Sequence, residues 1–397
     1  MMPSEIVADV LSRLPVKSLL RFRCVCRLWC SIIDSQVFVK MHLHQSITTN
    51  SNHSLILGGL GLYSVALDSL DKAHVLKTPF YYKSVDDISN SCNGLILVMS
   101  EPLILWNPFS TKYRILPDNP IKYPTPLSCF SKVIYGLAYD SRKDDYKVVQ
   151  VVEFRNKTSH IWECSEAEIY SMKSNSWNRI EGFSYPLPIL KGKWGIHVNG
   201  ALHTLVEDYF HIYSDKSIRI MSFSVESENH YEVMLPPNFR IKNVKLKLDV
   251  LGGCLCLVCT SKFGASIWVM KEYGVEESWT KLISIDSSTI DPDGILRPLA
   301  YLKPLAYSKN CENVLLAYDD KRLVWYNFIR KTIKNVSVRG LPFLFFPEAC
   351  VESLISPCGP VWREGDEVKK SAQDKRKEKN NKKNRDDFLS EGFKLVL

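Results

Sequence analysis

The 397-residue chain contains no apolar run of membrane-spanning length. Its longest apolar stretch, near Val250 to Cys259, is interrupted by two glycines and falls well short of the roughly 18–20 residues a spanning helix needs. No membrane role is expected. The opening Met1-Met2-Pro3-Ser4-Glu5 lacks a basic segment leading into an apolar one, so a secretory signal is not expected. The triplets Asn52-His53-Ser54, Asn156-Lys157-Thr158 and Asn335-Val336-Ser337 are accordingly read as inert, and the expected location is cytoplasmic and nuclear. Catalytic signatures are missing too. The chain has no G-x-x-x-x-G-K-[ST] phosphate loop, no G-x-G-x-x-G, no H-E-x-x-H and no G-x-S-x-G elbow. Among twelve cysteines there is one C-x-x-C, Cys256 to Cys259, whereas a structural zinc site needs two such pairs or a pair with spaced histidines. His42-x-His44 has no carboxylate or cysteine at ligand spacing. Neither a metal nor a cofactor is expected, and no catalytic residue is assigned. The pairs Asp86-Asp87, Asp144-Asp145 and Asp319-Asp320 stand in turn contexts, where aspartate bonds its own backbone.

Basic charge is scarce outside one segment. The net charge is +8, and residues 369–385 hold nine Lys or Arg against two acids. That segment alone carries +7, which leaves +1 for everything else. A body built for nucleic acid shows basicity on the fold itself, so no nucleic acid partner is expected. The tail, 358–397, is polar and is predicted to be disordered, serving solubility or nuclear import. With 45% hydrophobic and 11% aromatic residues, the remainder is expected to bury a substantial core.

Residues 3–40 carry helical periodicity. Ile6, Val7, Val10, Leu11 and Leu14 make one apolar stripe, and Pro15 stops that helix. A second short helix is predicted over Val16 to Arg23, and a third from about Cys24 to Ile33. So small a module cannot hide all its apolar side chains by itself, which points to a docking surface or to a cap on the next domain. The string Met2-Pro3-Ser4-Glu5-Ile6-Val7, continuing through Leu14-Pro15-Val16-Lys17-Ser18-Leu19-Leu20-Arg21-Phe22-Arg23-Cys24-Val25-Cys26-Arg27-Leu28-Trp29, resembles an F-box. Met2 stands where the family has Leu, and Arg27 where it has Lys. The resemblance implies docking to a Skp-type adaptor and, through it, to a cullin scaffold. The adaptor contacts it implies are Pro3, Ile6, Leu11, Leu14, Pro15, Leu19, Leu20, Val25, Cys26, Trp29 and Ile32.

From about Leu55 to Ser356 the periodicity becomes two. Comparable strands carry Trp106, Tyr170, Phe223, Trp268 and Trp325, at a mean spacing of about 55 residues, which suits a four-stranded propeller blade. A degenerate unit at Leu55 to Leu76 brings the visible count to six, and six to eight blades are expected. Asn93-Gly94-Leu95, Trp106-Asn107-Pro108-Phe109, Gly136-Leu137-Ala138-Tyr139-Asp140 and Val351-Glu352-Ser353-Leu354-Ile355-Ser356-Pro357 resemble the plant F-box-associated domain, a degenerate kelch-like repeat. The opening and closing strings are most similar to its immune-regulator type.

The expected architecture is a small all-α F-box module at 1–42, then a connecting region with the first β unit at 43–90. An all-β, kelch-like propeller follows at 91–357, then the basic tail. The function this implies is a non-catalytic receptor of a ubiquitin ligase holding an unknown protein substrate. The alternative is a propeller enzyme such as a copper oxidase. The aromatic residues Trp162, Tyr185 and Trp194, in long connections beside prolines, are the expected substrate contacts.

Overall fold

The computed structural model describes residues 3–81, 88–119, 129–187, 194–207, 218–237, 239, 244–286, 302–318 and 321–358. The tail expected to be disordered lies outside them except for Cys358, and so do Asp86-Asp87 and Asp319-Asp320.

Proline and serine set the helix boundaries at the N-terminus. Pro3 and Pro15 stand at the N-caps of α1 (Ser4–Ser12) and α2 (Val16–Phe22), where a fixed φ leads into the first turn and no N–H is wasted. The chain then bends through residues 23–26, so α3 (Arg27–Asp34) begins later than the periodicity suggested. Ser35 is extended. Its hydroxyl accepts from Phe38 N–H and opens a fourth helix, α4 (Gln36–Thr48). α4 runs past residue 42, so the helical region extends beyond its expected end. Val7, Leu11, Val16, Leu19, Ile33 and Phe38 pack at its centre.

Among the described residues the strands form six antiparallel sheets, the blades of a propeller. Blade 1 contains β1 (His53–Gly58), β2 (Leu62–Ala66) and β3 (His74–Val75). Blade 2 contains β4 (Ile96–Val98), β5 (Ile104–Trp106) and β6 (Tyr113–Ile115), with an Ile88–Val98 bridge at its inner position. Blade 3 is the largest: β7 (Cys129–Asp140), β8 (Asp145–Asn156), β9 (Trp162–Ser171) and β10 (Ser176–Ile180). Blade 4 is β11 (Ile196–Val198), β12 (Ala201–Glu207), β13 (Ile218–Ser224) and β14 (His230–Val233). Blade 5 is β15 (Lys245–Leu251), β16 (Cys254–Ser261), β17 (Gly264–Met270) and β18 (Trp279–Asp286). Blade 6 is β19 (Leu302–Tyr307), β20 (Asn313–Tyr318), β21 (Arg322–Asn327) and β22 (Thr332–Val336). The last strand, β23 (Phe346–Val351), returns to pair with β1 and supplies the inner strand of blade 1, closing the ring by hydrogen bonds between the two ends of the domain.

Two readings of pattern change on this frame. The apolar run Leu251 to Cys259, whose composition suggests one buried strand, is a hairpin: Gly252 and Gly253 both have positive φ and turn β15 into β16. In blades 2 to 5 the aromatic of the third strand faces the preceding blade, as Trp106, Tyr170, Phe223 and Trp268 show. In blade 6 that place belongs to Tyr326. Trp325, the neighbour chosen from spacing, faces the following blade instead, because adjacent strand residues point to opposite faces.

Candidate functional site

The helical module presents some of its expected contacts and buries others. Pro3, Ile6, Pro15, Val25 and Cys26 are exposed, Ile6 at 51% and Val25 at 60%. Leu14, Leu20, Trp29 and Ile32 are half-buried. Leu11 and Leu19 are corrected: both are enclosed by the module's own core, since α1 and α2 turn one edge of their stripes inward. The contact list overlooked Val10 and Leu28, which are exposed. Val10 lies one turn from Ile6, so the i, i+4 spacing marked it. The surface is held in shape from below. Phe22 and Trp29 meet edge-to-face at 5.4 Å, and the Arg23 guanidinium pairs with Asp34 at 2.7 Å across the 23–26 bend. Cys24 is exposed beside Cys26. His42 is fully buried and its Nε2 bonds the Leu14 carbonyl at 2.9 Å. Burial holds its pKa below the ordinary histidine value, against that hydrogen bond.

The segment after β23 ties the module to the propeller. Leu354, 8% exposed, completes the helical core, and Phe109 from the β5–β6 turn packs beside it. Glu352 accepts from the Ser54 hydroxyl at 2.8 Å and from the backbone N–H of Val16 at the start of α2. Burial pushes its carboxyl up, and those two donors oppose the shift. Asn107 donates from Nδ2 to the carbonyls of Ser353 (2.9 Å) and Ile355 (2.8 Å). The Ser353 hydroxyl donates to Asn93 O. Gly94 leaves room for it, since a Cβ there would stand 2.4 Å from Ser353 Oγ, at a φ of +85°. Further contacts come from the β7–β8 turn, where Lys40 meets Asp144 at 2.7 Å, and from the end of β19, where Asn50 reaches Tyr307 O at 3.4 Å. The groups on blades 2, 3 and 6 lie at turns joining the first and second, or third and fourth, strands, and those of blade 1 lie at the equivalent end of β23 and β1. The helices therefore sit on that face of the ring, and among the described residues none of these contacts reaches the other set of connections.

The propeller's expected substrate contacts do not survive as a group. Tyr185 and Trp194 are 6% and 5% exposed and pack with Phe183 and Phe223 between blades 3 and 4. They are corrected to core residues: each large ring loses more water-exposed surface by folding inward than a connection loses in freedom. Trp162 is half-buried at the start of β9. The connection expected to carry it, Arg155 to Glu166, is mostly the extended β8–β9 ribbon. Of the two other connections expected to be long insertions, Asp118 to Ser131 and Ser184 to Trp194, residues 120–128 and 188–193 lie outside the described residues.

Among the described residues no activated nucleophile emerges from the geometry. Cys92 Sγ lies 3.6 Å from His197 Nδ1. Burial pushes this thiol far above its usual range and holds His197 down to about 4, so the two stand neutral and are not a thiolate–imidazolium pair. Cys256 and Cys259 are buried in β16. Among the described residues no cluster of three His, Cys, Asp or Glu could hold a metal, and no helix is long and apolar enough to cross a membrane.

Helices on one face of a closed six-bladed ring, bonded through its closing strand, define an F-box joined to a propeller. The match to the F-box domain covers residues 1–41 and that to the F-box associated beta propeller domain covers 56–355. The chain belongs to this family of F-box proteins. It is similar to F-box protein CPR1 of Arabidopsis thaliana, 34% identical with 100% of this chain and 99% of the relative covered. F-box protein At4g22390 of the same plant is 28% identical over the same shares. Among solved structures, an oligogalacturonate lyase in complex with manganese aligns over 73% of this chain and 75% of its own at 11% identity. Its TM-score of 0.41 is too low to bear on activity.

Proposed function

We propose that this chain is the non-catalytic substrate receptor of a Skp-cullin-F-box ubiquitin ligase, working in the cytoplasm and nucleus on a target protein in plant defence. One observation carries the reading. Ile6, Val10, Val25 and Leu28 stay exposed, as do Val37 and Ile47 on α4, around a core that encloses Val7, Leu11, Val16, Leu19, Ile33 and Phe38, and uncovered apolar surface marks a partner. The Skp-type adaptor is the partner the F-box implies. Half-buried Trp29 lies in the same module, and Trp is enriched at interface hot spots.

The target is best placed on the propeller face that the helices leave open. Its connections carry Leu60, Tyr81, Ile161, Phe263 and Phe343, all exposed, and Trp162 lies beside Ile161.

Co-purification tests the adaptor reading. Ile6→Asp with Val25→Asp should abolish capture of a Skp-type adaptor and leave the melting temperature unchanged, because both side chains already face water. Capture at wild-type yield would overturn the proposal.

A further inference from the structure

A concavity lies on the side of blade 6 that faces blade 1, and its chemistry is independent of the receptor reading. Strand pairing sets Asn313, Asn327 and Thr332 side by side across β20, β21 and β22. Two residues along β21, and so on the same face, Trp325 pairs with Lys334. The β19–β20 and β21–β22 turns add Ser308 and Arg330. Together these seven residues line a concavity of about 430 Å³, within the range of small-molecule sites.

The place is unusual for this ring. One residue before the third-strand aromatic, blades 2, 3 and 5 carry Leu105, Ile169 and Ile267, all buried against the next blade. Blade 6 carries a tryptophan there, and it is only half-buried. The blade opposite ends in β3, an outer strand of two residues, too short to cover the outer part of its neighbour. Among the described residues Trp325 has neither a ring nor a cation stacked on it, unlike Trp106 against Phe80 or Trp268 beneath Lys281.

The charges are equally one-sided. Neither Arg330 nor Lys334 has a carboxylate partner among the described residues, although Lys309 nearby pairs with Asp68. The Asn327 side chain is fixed, accepting from Arg330 N–H at 2.7 Å and donating to Asn313 Oδ1 at 2.8 Å, which anchors the turn that carries Arg330.

We propose that this concavity binds a small molecule with a flat ring and an anionic phosphate or carboxylate group. The ring would lie against the Trp325 indole and the anion between Arg330 and Lys334. Guanidinium and ammonium groups suit such oxyanions, and a half-covered indole suits a ring.

Saturation-transfer NMR on the full chain tests this with adenosine monophosphate, 2-naphthoate, adenosine and inorganic phosphate. Saturable binding is expected for one or both ring-bearing anions, the two arms separating phosphate from carboxylate. Adenosine and inorganic phosphate should bind at least about tenfold more weakly, since each offers only half the match. Arg330→Glu with Lys334→Glu should weaken the ring-bearing anion at least about tenfold. Both side chains are exposed, and an unchanged melting temperature will show that the fold is intact. Trp325→Leu should weaken it in parallel. The proposal is overturned if neither ring-bearing anion binds, or if binding survives the charge reversal.

Discussion

The helical module and the propeller treat apolar side chains in opposite ways. The propeller turns many of its large rings inward, although Tyr81, Phe263 and Phe343 stay exposed: Trp106, Tyr170, Phe223 and Phe345 are wholly buried, and even Tyr185 and Trp194, in a connection, fill the space between two blades. The module has too few residues for that. It encloses six of its own side chains at the centre, borrows Leu354 from the propeller to complete that core, and still leaves Ile6, Val10, Val25 and Leu28 in water. An aromatic residue in a long propeller connection is therefore weak evidence of a site, whereas an exposed aliphatic on the module is strong evidence of one. Composition alone ranks these two the wrong way round.

The comparison breaks first at Leu19. As a residue enclosed by the module, it should cost about 2–5 kcal/mol of stability on substitution with alanine, read as a lower denaturant midpoint of the helical transition. If Leu19→Ala kept the wild-type midpoint and lost only adaptor capture, the division between enclosed and presented residues would fail. Leu354→Ala comes next. It removes a propeller side chain from the helical core, so the expected loss is at the low end of that range, about 2 kcal/mol, and should appear in the helical region. A loss confined to the propeller would mean that the two regions are coupled elsewhere.

Much of this was legible from sequence, for reasons that also explain the rest. The apolar stripe and Pro15 announced α1 and its end, and the period-two runs announced the blades, because those signals are local. The closing strand was invisible as such. Pairing of β23 with β1 joins positions some 300 residues apart, and no local pattern records a partner. The same holds for Leu354, whose string was recognisable while its insertion among the helices was not. Asp144 read as turn chemistry, and its φ of +51° agrees. Its second role, receiving Lys40, needed the fold. Tyr326 was misplaced by one residue because spacing locates a strand without fixing which face a residue takes. Val10 was available from its i, i+4 relation to Ile6 and was passed over.

A smaller effect separates the two regions by pH. His42 is buried in the module with its pKa lowered by burial. The unfolded chain therefore takes up a proton that the folded one resists, and this contribution to stability is lost as pH falls through the ordinary histidine range near 6.5. Chemical denaturation between pH 7.5 and about 5.5 should show the helical transition weakening, and His42→Gln should flatten that slope. His197 and His203, both held down to about 4, give the propeller the same sign of dependence. The test is therefore whether His42→Gln changes the helical slope alone.

The smallest effect concerns the ion pair between the regions. Lys40 and Asp144 are partly exposed, with side-chain exposures of 54% and 36%, so solvent screens them and the coupling should be only about 0.5 kcal/mol. Burial pushes the Asp144 carboxyl up, but hydrogen bonds from Lys40 and from Tyr139, whose hydroxyl lies 2.6 Å away, bring it below its ordinary value. A depressed carboxyl stabilises the fold above its unfolded pKa and loses that contribution as pH falls through the folded one. Asp144→Asn also disturbs Tyr139, so a single substitution overstates the pair, and a double-mutant cycle with Lys40→Ala isolates it. The coupling should be measurable at pH 7 and low salt, shrink in about 1 M salt, and vanish once Asp144 is protonated. A coupling that persisted in salt and acid would mean that Lys40 holds the propeller through its aliphatic stem and not its charge.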